Sequence, residues 1–201
     1  MQEAFEPAGD EVFRMNHFHI LTGGPGAGKT TLLAALQEAG YGVKEEVGRD
    51  VIRRQMAAGG DALPWKDSLA FSAEMLAAEL RLHEAHAGQG APVFCDRGIP
   101  DVLGYMQLEG LDRLPQAARL LARANQAARQ WRYAEPIFIL PPWREIYETD
   151  HERRQDWATA VATHDAVKAV YAALGYRLLE VPPGSPAQRK DHVLAQLKRP
   201  A

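Results

Sequence analysis

Short apolar runs alternate along this chain with stretches whose apolar residues recur every three or four positions. HFHILT at 17–22 reads as a buried strand, GVKEE at 42–46 as a short second strand, and PVFC at 92–95, PIFIL at 136–140 and YRLLEV at 176–181 as further strands. The helical rhythm falls between them. Leu32, Leu33 and Leu36 predict a helix over 29–39 with Gly40 after it. Further helices are predicted over 47–58, closed by Gly59 and Gly60, and over 65–87, where Leu69, Ala73, Leu76, Leu80 and His83 share a face. The pattern continues with helices over 101–109, 115–131, 144–174 with an interruption near 150–156, and 186–198. Strands alternating with helices predict an α/β domain, a parallel sheet covered on both faces.

A length of 201 residues suits one such domain. No repeat or linker divides it, so 15–201 reads as a single domain and 1–14 as a flexible N-terminal extension; Met15 is an alternative start to Met1. The net charge of −3 carries no electrostatic footprint for nucleic acid, so no nucleic-acid partner is expected. The single cysteine, Cys95, excludes an internal disulfide and a cysteine-based zinc site, and it reads as a buried strand residue. No apolar run reaches membrane-spanning length and the N-terminus lacks the order of a signal peptide, so the expected compartment is the cytoplasm.

Chemistry enters where the first strand ends. ILTGGPGAGKTT, residues 20–31, contains G-x-x-x-x-G-K-[ST], carried by Gly23, Gly28, Lys29 and Thr30. In such a loop, here Gly23, Gly24, Pro25, Gly26, Ala27, Gly28, Lys29, Thr30 and Thr31, the backbone curls so that successive N–H groups meet phosphate oxygens. The following helix adds its positive end. Lys29 is expected to reach the β- and γ-phosphates and Thr30 to ligate Mg²⁺. A chance match in a chain this long is on the order of one in a hundred.

A phosphate loop needs a second carboxylate at another strand end to complete the metal shell, and Asp96 after PVFC fits. Arg97 stands where macromolecule-moving ATPases usually place a water-polarising glutamate. It suits neutralising phosphate or binding an anionic acceptor, with a surface Asp–Arg pair as the plainer alternative. Glu46 ends the second strand and is a candidate base toward an acceptor hydroxyl, with Arg49 placed to fix the acceptor. Glu45 competes for that role, and one residue of register decides between them. In ETDHERRQD, Arg153 and Arg154 are candidates to close over the phosphates as a lid, 141–157, with Asp150 either orienting Arg154 or simply pairing with it at i, i+4. His83 and His86 lack the further ligands of a metal pair and read as packing or surface residues. Trp65, Trp143 and Trp157 read as core packing, with an acceptor pocket as the alternative.

Taken together, GGPGAGKTTLL, EEVGRDVI, LPWKD, FCDRGIPD, LPPWREIY and DHERRQD resemble, in that order, the predicted ATPases labelled as an AAA-type domain of the P-loop superfamily. The resemblance covers about 17–198 and extends in layout to nicotinamide riboside kinases, deoxynucleoside kinases and nucleoside monophosphate kinases. It implies a P-loop NTPase three-layer sandwich with a five-stranded sheet ordered 2-3-1-4-5. It also implies a lid carrying Arg153 and Arg154, and an acceptor site near Glu46, Arg49 and Arg97. Asp96-Arg97 and the short chain differ from ring-forming AAA machines, and no [NT]-K-x-D stretch for guanine follows a strand. PPGS at 182–185 falls where similar kinases hold adenine. The expected activity is Mg-ATP-dependent transfer of the γ-phosphate to a small metabolite. The catalytic set would be Lys29, Asp96, Glu46, Arg97 and Arg154. The alternative is an ATPase or GTPase that acts as a nucleotide-dependent switch with a protein or lipid partner.

Overall fold

A computed structural model describes residues 12–86, 90–147 and 156–197. The central strand of the main sheet, β2 (Phe18–Gly23), is buried along its whole length. It pairs in parallel with β4 (Val93–Asp96) on one side and β6 (Ile137–Leu140) on the other. β3 (Gly42–Lys44) and β7 (Leu178–Glu180) complete the edges, giving the order β3-β4-β2-β6-β7, all parallel. Counted along this sheet alone, that is 2-3-1-4-5.

The two-residue period of the strands sorts side chains into two cores. Phe18 and Ile20 of β2 and Cys95 of β4 face a core completed by α3 (Ser68–His86), α4 (Ile99–Leu108) and α6 (Trp157–Ala173), through Leu76, Val102, Met106 and Tyr171. Leu21, Phe94 and Phe138 face the other, against Leu32, Leu33 and Leu36 of α1 (Lys29–Glu38) and Val193 of α7 (Pro186–Leu197). α2 (Val47–Ala58) packs on α3, and α5 (Ala118–Gln130) on α4. α4 packs on α6. A β-carbon on Gly104 would stand 2.8 Å from Val167 Cγ1 and 3.1 Å from its Cα, so glycine sets that approach.

Several boundaries differ from the sequence reading. The segment expected to end a helix at 131 instead forms β5 (Trp131–Tyr133). It pairs in parallel with β1 (Phe13–Met15), and the rings of Phe13 and Trp131 stack at 4.7 Å. Part of the expected N-terminal extension, Phe13 and Arg14, is therefore a strand; 1–11 lie outside the described residues. Three-residue strands are too short to show a period. The long helix starts at Ser68, not 65, because the Asp67 carboxylate accepts the Ala70 N–H at 2.8 Å and so acts as its cap. The helix expected from 101 starts two residues earlier, with Pro100 in its first turn and the Asp101 carboxylate accepting the Gly98 N–H at 3.0 Å. From 144 the chain makes a single 3₁₀ turn, Arg144–Ile146. The helix resumes at Trp157, where Asp156 accepts the Thr159 N–H. The expected interruption and the lid residues Asp150, Arg153 and Arg154 fall mostly within 148–155, outside the described residues.

Candidate active site

Each phosphate-loop residue sits between the end of β2 and the start of α1. Gly28 has φ +79°, a backbone conformation that favours glycine, and a β-carbon there would push on Arg189 Nη1 at 2.5 Å. Lys29 is buried, and its ammonium donates to the carbonyls of Gly24 at 3.0 Å and Gly23 at 3.3 Å, which holds it across the mouth of the loop. Burial and the neighbouring Arg97 lower its pKa to about 8, against the opposing pull of Asp96, Glu46 and Asp101. Thr31 Oγ1 donates to the Gly28 carbonyl at 2.9 Å. Thr30 is exposed into a cavity of about 950 Å³ that runs from the loop across the strand ends.

Asp96, Arg97, Glu46 and Arg49 all line that cavity, at the carboxyl ends of neighbouring strands. Arg97 has φ +74°, the only non-glycine residue with positive φ among the described residues. A side chain held in that conformation costs roughly 1–3 kcal/mol and needs compensation. The compensation is visible. Arg97 Nε donates to Glu46 Oε1 at 2.8 Å, and Nη1 donates to the Gly23 carbonyl at 2.9 Å and to Asp101 Oδ1 at 3.2 Å. One guanidinium thus ties together the ends of three strands. Glu46 and Asp101 keep it firmly cationic despite its burial.

Glu46 also faces Arg49 Nε at 3.5 Å. Burial alone would raise its carboxyl; Arg97, with Lys29 and Arg49, overrides this and holds it at about 2. Glu45 instead pairs loosely with Arg53 and is largely exposed, so the register gives Glu46 to the large cavity. Asp96 behaves in the opposite way. Burial pushes its carboxyl up to about 6, although Lys29 and Arg97 oppose this. Its Oδ1 is buried with no hydrogen-bond partner. Such an oxygen, with the Thr30 hydroxyl on the same cavity, fits a Mg²⁺ shell. Among the described residues no cluster of three or more carboxylate, histidine or cysteine ligands could hold a metal alone. Mg²⁺ bound through one or two protein oxygens and substrate phosphates does not require one.

Two residues were missed in the sequence. Asp101 accepts from the Thr22 hydroxyl at 2.5 Å, the Tyr171 hydroxyl at 2.8 Å, the Gly98 N–H and Arg97. Its signal was present as the i, i+4 partner of Arg97 in DRGIPD. Arg189 of α7 is buried and donates to the Ala27 carbonyl at 3.0 Å and the Gly28 carbonyl at 3.4 Å, bracing the phosphate loop from outside. Nothing in its sequence surroundings marks it. It also lies 5.7 Å from the Trp143 ring, and both line the cavity with Gly184 and Ser185 of the PPGS loop.

Trp65, half exposed, lines the cavity as well. Trp157 does not; it packs against Tyr147 and Arg144. The histidines pack. His83 Nδ1 donates to the Glu79 carbonyl at 2.6 Å, which leaves Nε2 to accept from the Tyr133 hydroxyl at 2.8 Å; that hydroxyl accepts the Ile99 N–H at 3.0 Å. The ring is neutral, its pKa lowered by burial to about 4. His86 Nδ1 is bound to the Leu82 carbonyl at 2.7 Å, and Cys95 is buried in β4 as expected.

A family model described as an AAA domain matches residues 18–189. The chain belongs to that family. No curated protein matches its sequence. Solved structures share its fold. The NadR protein in complex with NR superposes with a TM-score of 0.67 at 17% identity, over 90% of this chain and 50% of NadR. This chain thus spans half the length of NadR. Deoxyadenosine kinase from M. mycoides, solved with products dCMP and dCDP, gives 0.67 at 12% identity over 90% of this chain and 98% of that one. Thymidylate kinase from Ehrlichia chaffeensis gives 0.62 at 18% over 92% and 99%. The fold of this family member is that of P-loop kinases. No described helix is long and apolar enough to cross a membrane.

Proposed function

We propose that this protein is a Mg-ATP-dependent phosphotransferase that moves the γ-phosphate to a hydroxyl of a small metabolite. The observation that carries this reading is the shape of the cavity. It does not end at the phosphate loop but continues past Asp96, Glu46 and Arg97 into a half walled by Ile52, Phe71, Met75 and Tyr105. That half is where a second substrate would bind. The folds of nucleoside and nucleotide kinases support the reading.

In this mechanism the phosphate-loop N–H groups and Lys29 hold the triphosphate. Thr30 and the unpartnered oxygen of Asp96 would hold Mg²⁺, whose chemistry is to neutralise phosphate charge. Glu46 accepts a hydrogen bond from the acceptor hydroxyl and orients it. With its carboxyl held near 2 it is a weak base, which suits a loose transition state that needs little proton removal before transfer. Arg97 stabilises charge while fixing Glu46, and Arg49 borders the acceptor. Trp143 and the PPGS loop border the nucleotide half, where the base of ATP would lie. The proposed roles of Asp150, Arg153 and Arg154 as a lid belong to residues outside those described. The test is to incubate the protein with γ-labelled ATP and a set of small alcohols and to look for label on an acceptor. Label passing only to inorganic phosphate would instead favour hydrolysis and a nucleotide-dependent switch.

A further inference from the structure

The turn from β4 into α4 holds Arg97 at φ +74°, and three successive backbone N–H groups pin it there. The Arg97 N–H donates to the Leu21 carbonyl of β2 at 2.9 Å, the Gly98 N–H to the Asp101 carboxylate at 3.0 Å, and the Ile99 N–H to the Tyr133 hydroxyl at 3.0 Å. The first two anchors belong to the main sheet and to α4 itself. The third comes from β5, in the small second sheet, none of whose residues line the cavity. The Tyr133 ring also lies directly against the turn. A β-carbon on Gly98 would stand 2.9 Å from the phenol oxygen and 3.0 Å from Cζ.

The phenol is itself held from several sides. Its hydroxyl donates to His83 Nε2 at 2.8 Å, and His83 is fixed in turn through Nδ1 by the Glu79 carbonyl at 2.6 Å. The Tyr133 N–H donates to the Tyr176 hydroxyl at 3.2 Å, and Tyr133 pairs with Met15 of β1. Burial pushes the phenol's pKa well up, so it keeps the proton it gives to His83. An arginine released from such anchors returns to negative φ, which swings its side chain away from Glu46 and the Gly23 carbonyl. We propose that Tyr133 is a positioning residue for Arg97: its hydroxyl, oriented by His83, holds the 97–99 turn and so aims the guanidinium across the strand ends. The small sheet then acts on the site through that one hydroxyl. The aim of Arg97 rests on the geometry; its effect on rate rests on the phosphotransferase reading.

The test reads the Arg97 Nε–H magnetic resonance of the full chain, identified by its loss in Arg97→Lys. In Tyr133→Phe, which keeps the ring, that resonance should move and exchange with solvent at least about tenfold faster. Tyr176→Phe removes a hydroxyl bonded to the β5 backbone and not to 97–99, and should leave the resonance in place. If Tyr133→Phe does not fold, His83→Leu takes its place, with the same displacement expected in smaller degree. ATP turnover should fall about tenfold in Tyr133→Phe. In the Arg97→Lys background the same change should cost less than about twofold, because the hydroxyl acts through Arg97. An unmoved resonance, an equal displacement in Tyr176→Phe, or an equal loss of turnover in both backgrounds would overturn the proposal. Label from γ-labelled ATP passing only to inorganic phosphate, or no turnover at all, would defeat the phosphotransferase reading, and the resonance would still decide this one.

Discussion

Asp101 and Glu79 are both buried acids of the same cavity, and their energetics run in opposite directions. Asp101 is satisfied four times, by Thr22, Tyr171, Gly98 and Arg97. Asp101→Ala strands those donors and leaves Arg97 with one carboxylate fewer, which should cost about 3–5 kcal/mol in denaturant melts. Among the described residues Glu79 has no such set of donors. Its folded pKa of about 8 lies above the ordinary 4.5. Across the window between these values the unfolded chain has lost the proton that the native chain keeps, so this group's contribution to stability falls as pH rises. Glu79→Gln should therefore melt above wild type by a margin that widens from pH 5 to pH 8, on the order of a few kcal/mol at the upper end. A margin that stays flat with pH would show that the carboxyl is not held protonated. At Lys29 the effect is on chemistry. Lys29→Ala removes the buried cation of the phosphate loop and should slow turnover about a hundredfold or more, while melting remains cooperative.

Among the elements, α4 carries the most. Its first turn holds Asp101, its flank meets α6, and Gly104 sets the distance between the two helices. Gly104→Ala inserts a methyl where Val167 Cγ1 and backbone already stand, and the expected loss is about 1–3 kcal/mol by chemical denaturation. α7 plays the corresponding part for the phosphate loop through Arg189. Removing that side chain should weaken ATP binding more than it lowers the melting midpoint, a comparison that calorimetry and thermal melts make directly. The elements also show what could be read in advance. Five strands in apolar runs and the glycine loop were legible because their signals are local: a period, a run, a spacing. β1, β5 and the cap at Asp67 were not, since a three-residue strand is defined by its partner and a cap by one hydrogen bond. Glu46 and Arg97 could be named from their strand ends, but their pairing joins residues 51 positions apart and needed the fold. Arg189 is 162 residues from Ala27, and no local pattern connects them.

For the molecule as a whole, the parallel order β3-β4-β2-β6-β7 brings the ends of β2, β3 and β4 to one crevice, with the phosphate loop at its centre. One side of that crevice is built of backbone N–H groups, Lys29 and Arg189; the other is aromatic and acidic. Two unlike halves joined at Asp96, Glu46 and Arg97 suit transfer between two bound molecules better than attack by water. The most direct measurement is ADP formation from Mg-ATP with and without a pool of small cellular metabolites, with Lys29→Ala as the blank. The account predicts turnover that the pool stimulates strongly and that Lys29→Ala removes. Slow turnover indifferent to the pool, or full turnover by Lys29→Ala, would contradict it.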